Sequence, residues 1–242
     1  MPGGAVTAAR VAPGWHGKLP SLGDFAARRL DSDFIEPWDG WLARGLQALR
    51  DAAPEAWLAA YLGSPSWRFV LMPGVLPGTA GRQGWAGVLM PSVDRVGRYF
   101  PLTLVLPLGS GPATTQQMSG LWPWLGRLDE LARDALYEDW TAEQLEAQLA
   151  QLALPELGAP GVARSPPAAA ERAGDLAEVA PGAAADPAAW IGAAAQSAWA
   201  AQAVGCAYWH ACPDAGPSRL LVSRGLPAAA AMAQLLGAAA TM

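Results

Sequence analysis

The residues best placed to do chemistry fall in two short stretches. One is Pro91-Ser92-Val93-Asp94-Arg95-Val96-Gly97-Arg98-Tyr99-Phe100-Pro101, which packs one carboxylate and two arginines between two prolines. A guanidinium presents a planar fork of donors that takes carboxylates two bonds at a time. The stretch therefore suits either recognition of a partner or an internal ion-pair network, and the residues alone leave both open. The other stretch runs from His16 to Asp24 and holds Lys18 and Ser21. Gly17-Lys18 invites a phosphate-loop reading, but Ala12 stands where the first glycine belongs and Leu19 where the Ser or Thr belongs. His16, Ser21 and Asp24 have the side-chain types of a nucleophile and its base. Three residues of one loop do not specify a triad, and a hydrogen-bonded turn with Asp24 capping backbone N–H groups is the plainer reading. Cys206, His210 and Cys212 share a strand-face parity, yet no fourth ligand or supporting shell is evident, so no metal and no cofactor are expected.

Elements must hold these stretches in place. Apolar runs Trp85 to Met90 and Leu102 to Leu106 flank the polar turn as buried strands, with Pro91 and Pro101 marking where the ladder stops and Gly97 supplying a bend. The 3.6-residue period of Phe34, Trp38, Trp41, Leu42, Leu46 and Leu49 predicts a helix over Asp33 to Ala52, with an Asp33/Glu36 capping box and Pro37 in its first turn. Asp39 lies between two core tryptophans on another bearing and is expected in solvent or paired with an arginine. A second helix is read over Glu55 to Leu62 and a strand over Trp67 to Met72. Arg68 faces away from Trp67 and Phe69 in that strand, so it stands either at the sheet rim or buried with a carboxylate, for which Asp39 and Asp94 are the available acids.

Further on, helices are expected over Gln116 to Glu138, interrupted near Pro123, and from a Thr141/Gln144 capping box to Leu152. Residues 155–186 are rich in alanine, proline and glycine, with scattered charge and no aromatics, which predicts a flexible linker. A helix from Asp186-Pro187 to about Gln202, paired strands Val204 to His210 and Arg219 to Ser223, and a last helix after Gly225-Leu226-Pro227 complete the chain. Strands interleaved with helices point to an α/β fold, a three-layer α/β/α sandwich with a mixed sheet. Residues 1–13 are expected to be disordered, and 14–242 to form one domain interrupted by the linker.

The chain has 242 residues, 52% of them hydrophobic, and a formal net charge of -5. That balance argues against nucleic acid and anionic membrane as partners. The apolar run near the N-terminus is too short for a signal peptide and the alanine-rich tail too short to span a bilayer, which needs about 20 residues. A cytoplasmic protein with reduced thiols is expected. Twelve tryptophans are assigned mainly to the core.

Three blocks together resemble one family. They are Gly17-Lys18-Leu19-Pro20-Ser21-Leu22-Gly23-Asp24-Phe25; Trp38-Asp39-Gly40-Trp41-Leu42; and Trp67-Arg68-Phe69 with the polar turn from Pro91 to Pro101. The pattern is similar to the TagF family of bacterial type VI secretion accessory proteins, strongly over residues 14–110 and more weakly to 152, with Ser223-Arg224-Gly225-Leu226-Pro227 resembling its closing signature. The resemblance implies a cytosolic, non-enzymatic repressor of secretion-machine assembly that acts after translation and is associated with a forkhead-associated (FHA) scaffold protein. The residues read as a partner-binding or structural polar centre are Lys18, Ser21, Asp24, Trp38, Asp39, Arg68, Ser92, Asp94, Arg95, Arg98 and Tyr99. Two other readings stand beside it: a hydrolase using Asp24 or Asp94 with Lys18, and a structural part of the secretion apparatus. The composition of residues 155–186 gives a direct expectation: limited proteolysis should cut there first and leave a resistant N-terminal fragment, and a first cut within 34–106 would contradict the domain reading.

Overall fold

The computed structural model describes residues 12–155, 172–173, 176–177, 198–211 and 218–236. Helix α1 (Ser32–Ala52) carries Phe34, Trp38, Trp41, Leu42, Leu46 and Leu49 on its buried face, the six positions that the helical period selects. Its start differs from expectation. Asp31 is the N-cap and makes no side-chain cap bond, so the Asp33/Glu36 capping box is absent, and Asp33 instead accepts from the Thr79 hydroxyl. Pro37 therefore lies in the second turn, where it leaves the Asp33 carbonyl without its helical donor.

Strands β1 (Gly14–Gly17), β2 (Ala26–Arg28), β3 (Trp67–Leu71), β4 (Trp85–Met90) and β5 (Leu102–Pro107) join β8 (Cys206–Ala211) and β9 (Arg219–Arg224) in one seven-stranded sheet of order β2-β1-β5-β4-β3-β8-β9. Every pairing in it is antiparallel. This corrects the expected three-layer α/β/α sandwich with a mixed sheet. Parallel neighbours need a crossover, usually a helix. Here β3 returns as β4 through a loop with only a short 3-10 turn, and β4 returns as β5 through the polar turn, so both connections are hairpin-like.

Strands β4 and β5 are buried on both faces. On one face Trp67, Phe69, Leu71, Leu89, Val105 and Trp209 pack with α1. On the other, Val70, Met72, Val88, Leu104 and Leu106 pack with α3 (Thr115–Tyr137) and α4 (Ala142–Gln151). Gly87 makes room for the tryptophan-rich side, since a Cβ there would meet the Leu104 carbonyl at 2.3 Å and the Phe69 ring at 2.7 Å. Phe69 is thereby free to lie 5.1 Å from Trp38 and 5.4 Å from Trp209. The Trp38 indole donates to Thr103 on β5 at 2.9 Å, so this core tryptophan also satisfies its polar end.

The short helix after α1 is α2 (Trp57–Leu62), two residues shorter than expected at its start. The Thr141/Gln144 capping box of α4 is formed in full. Residues 198–203 are helical (α5), and β8 and β9 pair as expected. The last helix is α6 (Met232–Leu236), whose Leu235 carbonyl accepts from the Trp67 indole at 2.7 Å and the Ser64 hydroxyl at 2.6 Å. The linker expected at 155–186 lies almost wholly outside the described residues, as do most of 1–13, the start of the 186–202 helix and the turn at 213–217. Within the linker stretch, Arg172–Ala173 (β6) and Leu176–Ala177 (β7) pair antiparallel as a separate ladder. Among the described residues no helix is long and apolar enough to cross a membrane.

Arg68 points to the α3 side of the sheet, opposite Trp67 and Phe69, but its partner is neither Asp39 nor Asp94. Its Nε and Nη2 donate to Asp129 Oδ2 of α3 at 3.1 and 3.0 Å. Ser66 donates to the other oxygen, and Arg133 Nη2 lies 3.5 Å from Oδ2. Asp129 is 3% exposed, so its charge is stable there only because of these donors. Asp129→Ala should cost about 3 kcal/mol in urea denaturation, because it strands the Arg68 guanidinium against α3. Asp39→Ala, at a carboxylate 42% exposed, should cost under about 1 kcal/mol. Equal losses at the two positions would overturn this account.

Candidate functional site

The polar turn between β4 and β5 is organised by burial of a charge. Asp94 has a side chain with no exposure, and a carboxylate can be held so only if its lone pairs are filled. Four bonds fill them. Lys18 Nζ and Arg98 Nε donate to Oδ2 at 2.8 and 2.7 Å, while the amides of Val96 and Arg98 donate to Oδ1 at 3.1 and 2.9 Å. The two amides come from the turn itself, which Gly97 closes with a φ of +83° that a side chain would strain. Burial alone would push the Asp94 carboxyl up. The Lys18 ammonium and then the Arg98 backbone and side-chain donors outweigh it and hold the group well below the usual carboxylate range.

The same turn is sewn to the loop after β1. Arg95 N donates to the Leu22 carbonyl at 2.8 Å, Arg98 Nη2 to the Gly23 carbonyl at 2.5 Å, and the Ser92 hydroxyl to the Lys18 carbonyl at 2.6 Å. Beneath it, the Tyr61 hydroxyl of α2 donates to the Ser92 carbonyl at 3.0 Å and accepts from the Ser92 amide at 2.8 Å. Burial pushes the Tyr61 phenol above its usual range. The Lys18 ammonium lies 4.8 Å from the centre of the Phe25 ring, and Phe25 packs edge-on against Phe100 at 4.8 Å.

Of the residues singled out from the sequence, Lys18, Ser92, Asp94 and Arg98 converge here. Asp24 stands at the rim, donating nothing and accepting from the Phe25 amide at 2.8 Å, with Arg98 Nη2 3.7 Å away. Tyr99 is half-buried with its ring edge-on to Tyr61 at 6.1 Å. The remaining members disperse. Ser21 donates to the Trp140 carbonyl at 2.7 Å, Trp38 belongs to the core, and Arg68 to Asp129. Asp39 pairs with His16 Nε2 at 3.1 Å rather than with an arginine, so His16, Ser21 and Asp24 have separate partners and form no triad. Arg95 is exposed, and its guanidinium makes no ion pair among the described residues.

Two functional supports escaped sequence reasoning. Tyr61 sits in an apolar six-residue helix whose period says only that it is inward, and Asp129 reads as one of the charges of α3. The fact that Asp129 recurs with the buried positions Leu125, Leu128 and Ala132 is the signal that places it inside. Cys206 is buried as a free thiol, His210 lies 2.8 Å from the Ser218 hydroxyl, and Cys212 is outside the described residues. Among the described residues no group of three or more potential ligands could hold a metal ion.

Residues 14–152, which contain this whole polar centre, match the TagF N-terminal domain, described as type VI secretion system-associated. The chain belongs to the TagF family. The crystal structure of PA0076 from Pseudomonas aeruginosa PAO1 is 33% identical to this TagF-family chain, covers 96% of it with 96% of its own length, and superposes with a TM-score of 0.72. No curated protein matches the chain. The family match places the protein among those associated with type VI secretion.

The depressed Asp94 carboxyl makes a prediction for this TagF-family fold. The folded pKa lies below the unfolded value of about 3.9, so the stability Asp94 contributes is fully present above that value and is lost as pH falls through the folded one. The stability gap between wild type and Asp94→Asn should be widest near about pH 6 and shrink below about pH 4. Urea unfolding at several pH values reads this, and a gap that is constant with pH would show that folding does not lower the Asp94 pKa.

Proposed function

We propose that this TagF-family protein restrains assembly of the type VI secretion machine after translation, as a cytosolic, non-enzymatic repressor that binds an FHA-domain scaffold protein of the system. Membership in a secretion-associated family supports the setting. The observation that carries the non-enzymatic part is the saturation of Asp94. A carboxylate with four donors on it, held firmly ionised, is a poor general acid or base near neutral pH. Lys18 is 3% exposed and donates to that carboxylate, so it is not presented as a nucleophile. These features weigh against the hydrolase reading with Asp24 or Asp94 and Lys18, and they favour a rigid turn whose use is its shape. A structural role in the secretion apparatus is the second reading, distinguished by stable co-purification with assembled sheath or baseplate.

Deleting the gene should raise type VI secretion while leaving transcript levels of the secretion genes unchanged, and overexpression should silence secretion. Secreted effector protein in culture supernatants, read against transcript abundance, checks both arms. Unchanged secretion in both strains would end the regulatory reading.

A further inference from the structure

We infer that the partner is gripped by an exposed lip of the polar turn, Phe25 with Arg95 and Val96, and that it presents carboxylates beside an apolar hollow. This inference rests on the binding-protein reading above and adds to it where contact is made and what chemistry meets it.

The polar centre divides into two parts by exposure. Lys18, Ser92 and Asp94 are buried, and their polar groups are used within the fold. Around them stand Val96, 64% exposed, and Phe25, 46% exposed, with Arg95 also exposed. Phenylalanine and arginine are enriched at protein interfaces relative to the rest of the surface, and Phe25 and Arg95 are of those types. Arg95 is anchored through its backbone to Leu22, and its Nη2 lies 3.6 Å from where a Cβ on Gly23 would stand, so the side chain lies along the loop that leads to Phe25.

Charge selects the partner. The protein carries a formal net charge of -5, yet in the turn and the loop after β1 the buried Lys18 and Asp94 offset each other, and Arg95 and Arg98 face solvent against the one exposed carboxylate of Asp24. Lys18 and Arg98 are committed to Asp94, which leaves the Arg95 fork as the cation on offer. A fork of parallel N–H donors fits a carboxylate, and a locally positive lip on an acidic molecule draws an acidic surface rather than a second copy of the chain. The turn is also pre-shaped by the four bonds to Asp94, so little ordering cost falls on binding.

The test is titration calorimetry of the full-length protein with the purified FHA-domain scaffold of the same secretion system. Wild type should bind with an affinity that weakens as salt rises from about 50 to about 300 mM. Arg95→Glu and Val96→Asp should each weaken binding by more than about tenfold, and Arg95→Glu should flatten the salt dependence. Arg127→Glu, on the exposed side of α3, is the control and should bind like wild type. Both lip positions are solvent-exposed, so unchanged melting temperatures are expected and keep the result free of misfolding. Wild-type binding that survives both lip substitutions overturns this inference and leaves the binding reading standing. No binding by wild type removes the proposed partner and the lip with it. Equal weakening by Arg127→Glu also overturns the lip, because it reports general charge rather than this surface.

Discussion

A buried carboxylate needs donors from every side, and most of the polar centre follows from meeting that need at Asp94. Two of its donors are amides of its own turn, which obliges the chain to curl tightly and places Gly97 where φ is positive. The third is the ammonium of Lys18, which ties the end of β1 to the turn, and the fourth is Arg98 Nε, while Arg98 Nη2 reaches the Gly23 carbonyl. Tyr61 brings α2 into the same cluster through Ser92. Removing one partner from such a set leaves the others desolvated and unpaired, so the cluster stands or fails as a unit.

How much of this was legible depended on the range of the interaction. The face of α1, the Thr141/Gln144 capping box and the bracket of Pro91 and Pro101 are local patterns, and each is found where periodicity or cap chemistry puts it. The partners of Arg68 and Asp39 are not local. Asp129 and His16 reach them only because α3 crosses one face of the sheet and β1 lies beneath α1, and nothing in the spacing distinguishes them from other charges. The sheet's antiparallel direction is likewise set by non-local pairing. Helices and strands alternate along the chain, which suggests crossovers, but the helices fall outside the connections from β3 to β4 and from β4 to β5.

The division between sealed and exposed residues also explains why one motif could suggest two roles. Within a run of five residues, Asp94 is sealed and Arg98 bonds to it while remaining 53% exposed, whereas Arg95 and Val96 face solvent. A period-two reading cannot separate them, because the turn folds the chain back on itself and only the geometry of the bonds to Asp94 decides which side chain points in.

Strand β3 lies inside the finished sheet, yet its two neighbours are made at very different times. β4 follows after a loop of 13 residues, whereas the pairing of Arg68 with His210 joins positions about 140 residues apart. At roughly 5–20 residues per second, a ribosome needs on the order of ten seconds to deliver β8 after β3 has emerged. During that interval one edge of β3 is open, with Phe69 and Leu71 beside it, and the nascent chain is exposed to pairing with the wrong strand. Synthesis of this protein therefore has a vulnerable window set by strand order, in which a chaperone that shields nascent strand edges has the most to protect.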